Sequence, residues 1–245
     1  MRLPTRRVMG VLGAVPVIAV AVLGVEVMAA IKAPQLPASS PYVLSRSTNQ
    51  VGAGRVVWLG DSTAAGVGAS SEATTLPLMV LAAGVGGRLD ALAVSGARVD
   101  DVLRAQLPLI ETGPVGRVFI SVGANDVTGL TSRGDFRRRY RALLNALPKG
   151  VQVVTLGVPD MGAAPRLAQP LRSLAGLRGR QLNEIVREEG AKSGALYVDI
   201  AGETGPEMRR HSDRYFAGDK YHPSDRGYAL WSAAVVKATT AAGWR

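Results

Sequence analysis

Cysteine is absent from all 245 residues. That excludes a disulfide framework, a thiol nucleophile, a thiolate metal site and a lipid-modified cysteine near the N-terminus. Histidine occurs twice, as His211 and His222, so no metal centre is expected. Any histidine acting as a base must be one of those two. Acids are also scarce, with 19 Asp and Glu against 29 Lys and Arg, for a formal charge of +10. Residues 1–50 carry +4 of it and the remainder +6. Such a balance favours anionic surfaces without choosing among them. No internal repeat is present. What the chain has in quantity is apolar side chain, 47% of residues, enough to exclude general disorder and to build a substantial core.

The apolar residues are not evenly spread. Arg2, Arg6 and Arg7 precede an uncharged run from Val8 to Val25, with Glu26 after it. Eighteen apolar residues approach the minimum for a membrane span, and the leading positive charges predict a cytoplasmic N-terminus with the rest exported. Residues 1–32 therefore read as a signal anchor or a cleaved signal peptide, Val27-Met28-Ala29 being a passable cleavage site. Residues 33–53, rich in Pro, Ser and Gly, read as a linker, and 54–245 as one domain.

Within that domain strands and helices alternate. Strands are expected at Arg55–Gly60, Leu92–Val94, Val118–Val122, Val151–Gly157 and Leu196–Ile200. Helices are expected at Leu76–Leu89, Val99–Leu107, Phe136–Leu147, Leu171–Glu189 and Ser224–Ala242. The spacing turns Phe136, Tyr140, Leu143, Leu144 and Leu147 inward on one helix, and Leu171, Leu174, Leu182 and Ile185 on another. The pattern predicts an α/β fold: a five-stranded parallel sheet in the flavodoxin-like order 2-1-3-4-5 within a three-layer α/β/α sandwich.

In such a sheet ligands bind beyond the carboxyl ends of the strands. Ser62 follows the first strand, Gly96 the second and Asn125 the third, and the strand order sets Gly96 and Asn125 on either side of Ser62. A nucleophilic serine needs a base and donors for a developing oxyanion. The backbone N–H groups of Ser62 and Gly96 and the side-chain amide of Asn125 can supply those donors. Asp219 precedes His222 by three residues, so one turn can bring its carboxylate to one ring nitrogen and leave the other for Ser62. His211 stands among Arg209, Arg210 and Arg214 instead, which leaves His222 as the base. Asp61 and Asp126 read as loop braces. The cluster from Arg137 to Arg141 reads as a solvated helix face, and Pro159, Asp160 and Met161 as candidates for lining a substrate site.

Four blocks, Gly60-Asp61-Ser62, Val94-Ser95-Gly96, Gly123-Ala124-Asn125-Asp126 and Asp219-Lys220-Tyr221-His222-Pro223, stand in order at strand ends. Together they resemble the SGNH (GDSL-type) hydrolase family over about residues 54–243. The resemblance implies a catalytic Ser62, Asp219 and His222, an oxyanion hole of Ser62, Gly96 and Asn125, and hydrolysis of esters, thioesters or acetylated glycans without a cofactor. Ala97-Arg98 departs from the acidic residue and threonine that esterase-like members often carry there. The serine lies in no Gly-x-Ser-x-Gly elbow, which sets the chain apart from ordinary α/β-hydrolases.

The function expected is that of an extracytoplasmic serine ester hydrolase working through an acyl-enzyme. With no large lid insertion between the blocks, short or accessible acyl groups are favoured. Two alternatives stand beside it: an esterase removing acetyl groups from an envelope glycan, and a non-catalytic module binding an anionic envelope polymer. The expected partners are an ester substrate and, through the N-terminal segment, a membrane. Nucleic acid is not among them, and the chain is expected to be a monomer.

Overall fold

The computed structural model describes residues 21–30, 32–37, 42–45, 54–84, 88–110 and 113–244. Six strands form one sheet: β1 (Tyr42–Ser45), β2 (Val56–Gly60), β3 (Arg88–Ala91), β4 (Arg117–Ser121), β5 (Gln152–Leu156) and β6 (Leu196–Val198). Their spatial order is β1-β3-β2-β4-β5-β6. The last five are parallel neighbours and reproduce the expected order 2-1-3-4-5. The sixth, β1, pairs antiparallel with β3. It falls inside the stretch 33–53 expected as a linker, which therefore contributes an edge strand.

Alternation along the strands divides the core in two, because successive residues of a strand face opposite sides. Val57, Leu59, Val118 and Ile120 face one side, where they pack with helices α2 (Val99–Asp101, continued by a π turn Val102–Gln106), α4 (Arg133–Asn145) and α5 (Leu171–Ser193). Val56, Trp58, Phe119 and Val154 face the other side, towards α1 (Leu76–Ala82) and α8 (Asp225–Ala241). The Trp58 and Phe119 rings stack 4.3 Å apart across β2 and β4. Further helices are α3 (Ala124–Thr128), α6 (Ile200–Arg210) and α7 (Ser212–Tyr215).

Several expected boundaries shift for local reasons. Helix α1 ends at Ala82, and strand β3 begins at Arg88, where a continuous helix to Leu89 was expected. Leu92–Val94 lies just past β3, yet its Leu92 and Val94 N–H groups still donate to Trp58 and Gly60 carbonyls. The strand proper is Arg-Leu-Asp-Ala, whose charges mask its character. Asp90 is buried and ion-paired with both Arg55 and Arg88. Ser132 starts α4 three residues early by accepting from the Asp135 N–H. Asp199 caps α6 through Gly202 N–H, so Ile200 opens a helix instead of closing a strand. Ser224 caps α8 as expected. Leu174 is the misplaced core residue: it is 49% exposed.

Most of the apolar run Val8–Val25 lies outside the described residues. A helix covers residues 21–30. Among the described residues no helix is long and apolar enough to cross a membrane.

Candidate active site

The chain leaves β2 through Gly60, at φ +149°, where a Cβ would sit 2.0 Å from the Ser121 carbonyl oxygen. Only glycine permits this crossing over β4. Buried Gln106 brackets that residue, accepting from its N–H at 2.8 Å and donating to its carbonyl at 2.7 Å. The turn that follows is braced by Asp61, whose carboxylate accepts from the Thr63 N–H at 3.0 Å and the Thr63 hydroxyl at 2.8 Å. Burial pushes the Asp61 carboxyl up to about 6 against these hydrogen bonds, which pull it down. The brace role expected of Asp61 is met. Asp126 has the same kind of role: it accepts from the Val99 N–H at 3.0 Å and so ties α3 to the start of α2.

Ser62 Oγ stands 2.9 Å from His222 Nε2. His222 Nδ1 stands 2.6 Å from Asp219 Oδ2. The turn between the two is tight. Asp219 Oδ1 accepts from the N–H groups of both Tyr221 and His222 at 3.0 Å, and Lys220 takes φ +58° between them. Burial works to raise the Asp219 carboxyl. The His222 ring and the two backbone donors outweigh it and hold the carboxyl below its ordinary value. Asp219 is therefore ionised at neutral pH and fixes the His222 tautomer with Nδ1–H towards it, which leaves Nε2 to accept from Ser62.

The flanking groups fall where the strand order sets them. Gly96, at φ +84°, has open space where a Cβ would stand. The backbone N–H groups of Ser62 and Gly96 have no hydrogen-bond partner among the described residues. One N–H of the Asn125 amide donates to Ala97 O at 3.1 Å, which aims the amide and leaves its other N–H available. Asn125 sits in the first turn of α3. His211, the other histidine, is half exposed and lies 3.9 Å from Glu207.

Two hollows meet at Ser62 and His222. One is small, about 40 Å³, and contains the expected Pro159, Asp160 and Met161 together with Trp231 in its lining. The other is about 560 Å³ and is lined by Gly96, Asn125 and several leucines. Asp160 also pairs with Arg209.

Three residues that shape this site carried no motif. Gln106 holds the Gly60 turn, and Arg166 lies over the Tyr221 ring, 3.8 Å from Asp219 Oδ2. Gly68, at φ +98°, packs so close that a Cβ would lie 2.3 Å from Pro223 O and 3.2 Å from His222 Cβ. The Gly66-Val67-Gly68 string was the one local hint of that contact.

The fold and the site define a three-layer α/β/α protein with serine, histidine and aspartate in one hydrogen-bonded chain at the carboxyl ends of its strands. Residues 58–230 match the GDSL-like lipase/acylhydrolase family, and the chain belongs to that family. It is 32% identical over 179 residues to the GDSL-like esterase Rv1075c of Mycobacterium tuberculosis, an alignment covering 70% of this chain and 57% of that protein. The chain thus spans a little over half of that relative's length. A lipolytic G-D-S-L family protein from Veillonella parvula superposes with a TM-score of 0.63 at 16% identity, over 76% of this chain and 98% of that one. Axe2, an acetylxylan esterase from Geobacillus stearothermophilus, superposes with a TM-score of 0.57 at 18% identity, over 76% and 93%.

Proposed function

We propose that the protein is a serine ester hydrolase that works through an acyl-enzyme. The observation that carries this is the hydrogen-bonded chain from Asp219 through His222 to Ser62, at 2.6 and 2.9 Å. Ser62 Oγ attacks the ester carbonyl carbon while its proton passes to His222 Nε2. Negative charge develops on the carbonyl oxygen, which receives the N–H groups of Ser62, Gly96 and Asn125. Asp219 stabilises the imidazolium. Collapse of the tetrahedral intermediate breaks the ester C–O bond, and His222 returns the proton to the departing alcohol. Water then attacks acyl-Ser62 with His222 as base, releases the carboxylic acid and restores the serine.

The site of action is proposed to be outside the cytoplasmic membrane, on the strength of Arg2, Arg6 and Arg7 ahead of the apolar run. Removal of acetyl groups from an envelope glycan is a second reading, favoured by the small hollow beside Ser62 and by the fold shared with an acetylxylan esterase. Passive binding of an anionic polymer rested on the +6 charge of the domain, and the densest run of that charge, Arg137 to Arg141, is largely paired with acids. Arg137 pairs with Glu188 and Glu189, Arg138 with Asp135, Arg139 with Asp100 and Arg141 with Glu189.

Aryl esters of graded acyl length, assayed beside acetylated xylan with the parent and with Ser62→Ala, test these readings. Turnover that vanishes in the variant is expected. Undiminished turnover in Ser62→Ala would remove the triad from the mechanism.

A further inference from the structure

The 560 Å³ hollow over Ser62 is built from two parts of the chain that are far apart in sequence. One wall belongs to the domain and includes Leu130, Leu167, Leu171 and Leu174. The other comes from before the first strand: Leu23, Val27, Ala30 and Leu36. Leu23, Val27 and Ala30 follow helical spacing within residues 21–30, so one face of that helix turns to the hollow, and Leu36 joins it from the segment beyond. Ala30 also packs against the core on the α5 side of the sheet.

Specific contacts hold this second wall. The Arg166 guanidinium donates to the carbonyls of Ala30, Ala33 and Pro34 at 3.0, 2.9 and 3.1 Å. These are carbonyls at and just beyond the end of the helix, where cationic donors are favoured. Glu26 accepts from the Leu171 N–H at 3.0 Å, at the start of α5, whose N-cap Pro170 provides no side-chain cap. The clamp residue Arg166 also faces Asp219 and Tyr221, so the same side chain joins the wall to the triad.

Exposed apolar side chains gather at this hollow. Val27 is 38% exposed, Leu174 49% and Leu130 74%, and all three line it. Leu130 does so at φ +56°, a conformation bulky residues rarely adopt. Its volume falls in the range of small-molecule sites, which are mostly apolar with a few placed polar groups.

We propose that the N-terminal segment is retained, that Val27, Ala30 and Leu36, past the apolar run, form the specificity-determining wall of an acyl pocket, and that the substrate carries an aliphatic acyl chain of several carbons rather than acetyl alone. The proposal rests on the ester-hydrolase reading above. The carbonyl sits at Ser62, and the chain runs between Val27 and Leu36 on one side and Leu130 and Leu174 on the other. Each methylene removed from water there favours the bound transition state by about fourfold.

The test uses the full-length chain and 4-nitrophenyl acetate, butyrate, octanoate and laurate. Val27→Trp and Leu36→Trp each fill the hollow from the N-terminal side. The ratio of octanoate to acetate kcat/KM is expected to fall by about tenfold or more in both. Val27→Ala is expected to move the preferred length upward. Equal scaling of all four esters, or octanoate turnover indifferent to both tryptophans, overturns the wall. A parent that hydrolyses none of the esters, or a Ser62→Ala variant that still hydrolyses them, instead overturns the ester-hydrolase reading on which the wall depends.

Discussion

Gly68→Ala probes how closely the site is built. Gly68 is neither a triad member nor a donor to substrate, yet it stands against the backbone that carries His222. A methyl group there would lie 2.3 Å from Pro223 O and 3.2 Å from His222 Cβ. Ordinary contact begins near 3.4 Å, so the Pro223 carbonyl must retreat by about 1 Å and His222 with it. A displacement of about 1 Å in a catalytic constellation costs on the order of 100-fold in rate, or about 2.7 kcal/mol. The variant also forces alanine to φ +98°, which costs about 1–2 kcal/mol of stability. Gly150→Ala is the control. Its φ is +74°, but nothing lies within 4 Å of the added methyl. It should lose stability to a similar degree while keeping the parent kcat/KM per folded molecule. Aryl acetate kinetics and urea unfolding of both variants separate the two effects. If Gly68→Ala turns over within about threefold of Gly150→Ala, close packing does not position His222 and the reasoning fails.

Other outcomes follow from the same geometry. Asp219→Asn removes the charge that orients His222, and kcat should fall by about 10⁴-fold with KM little changed; steady-state kinetics at neutral pH measures it. Asp61 titrates near 6 when folded against an ordinary 3.8. The folded state therefore keeps a proton that the unfolded chain has lost, and stability falls as pH rises from about 4 to 6, by up to about 3 kcal/mol. Asp61→Asn retains an acceptor for the Thr63 N–H and hydroxyl, so urea unfolding of the variant should show that decline reduced or absent between pH 4 and 7. Glu189 has the opposite sign: hydrogen bonds from Arg141, Lys192 and Arg137 hold it at about 2, against burial, which raises it. Its contribution is complete above pH 4.5 and fades towards pH 2. Glu189→Gln should cost on the order of 1–3 kcal/mol at pH 7 and less at pH 3, with activity per folded molecule unchanged.

The site was more legible in the sequence than its supports were. Ser62, Gly96 and Asn125 each stand just beyond an apolar run, and Asp219 and His222 stand within one turn of each other. Strand order brought the first three together and short-range spacing the last two; joining the pair to Ser62, 160 residues away, rested on there being only two histidines and on the family resemblance. Gln106, Arg166 and Gly68 act across separations of 46, 53 and 154 residues, on Gly60, Asp219 and His222, and no local pattern marks such contacts. Strand β3 was obscured because its charges are neutralised only by tertiary pairing of Asp90 with Arg55 and Arg88. Leu174 matched the inward face of α5 by period, but its side chain lines the hollow at Ser62 rather than the core. The stretch before β2 was divided by composition into anchor and linker. Its described parts include an edge strand and residues that line the hollow beside the candidate nucleophile, contacts that depend on β3 and on Arg166.

The central claim is that His222 and Asp219 make Ser62 the one activated serine of this chain. Labelling with a fluorophosphonate, followed by peptide mass analysis, tests it most directly. One adduct per chain is predicted, on the peptide containing Ser62, and it should be lost in Ser62→Ala and strongly slowed in His222→Ala. A parent protein that hydrolyses aryl esters yet takes no adduct at Ser62, or takes it at the same rate without His222, would contradict the claim.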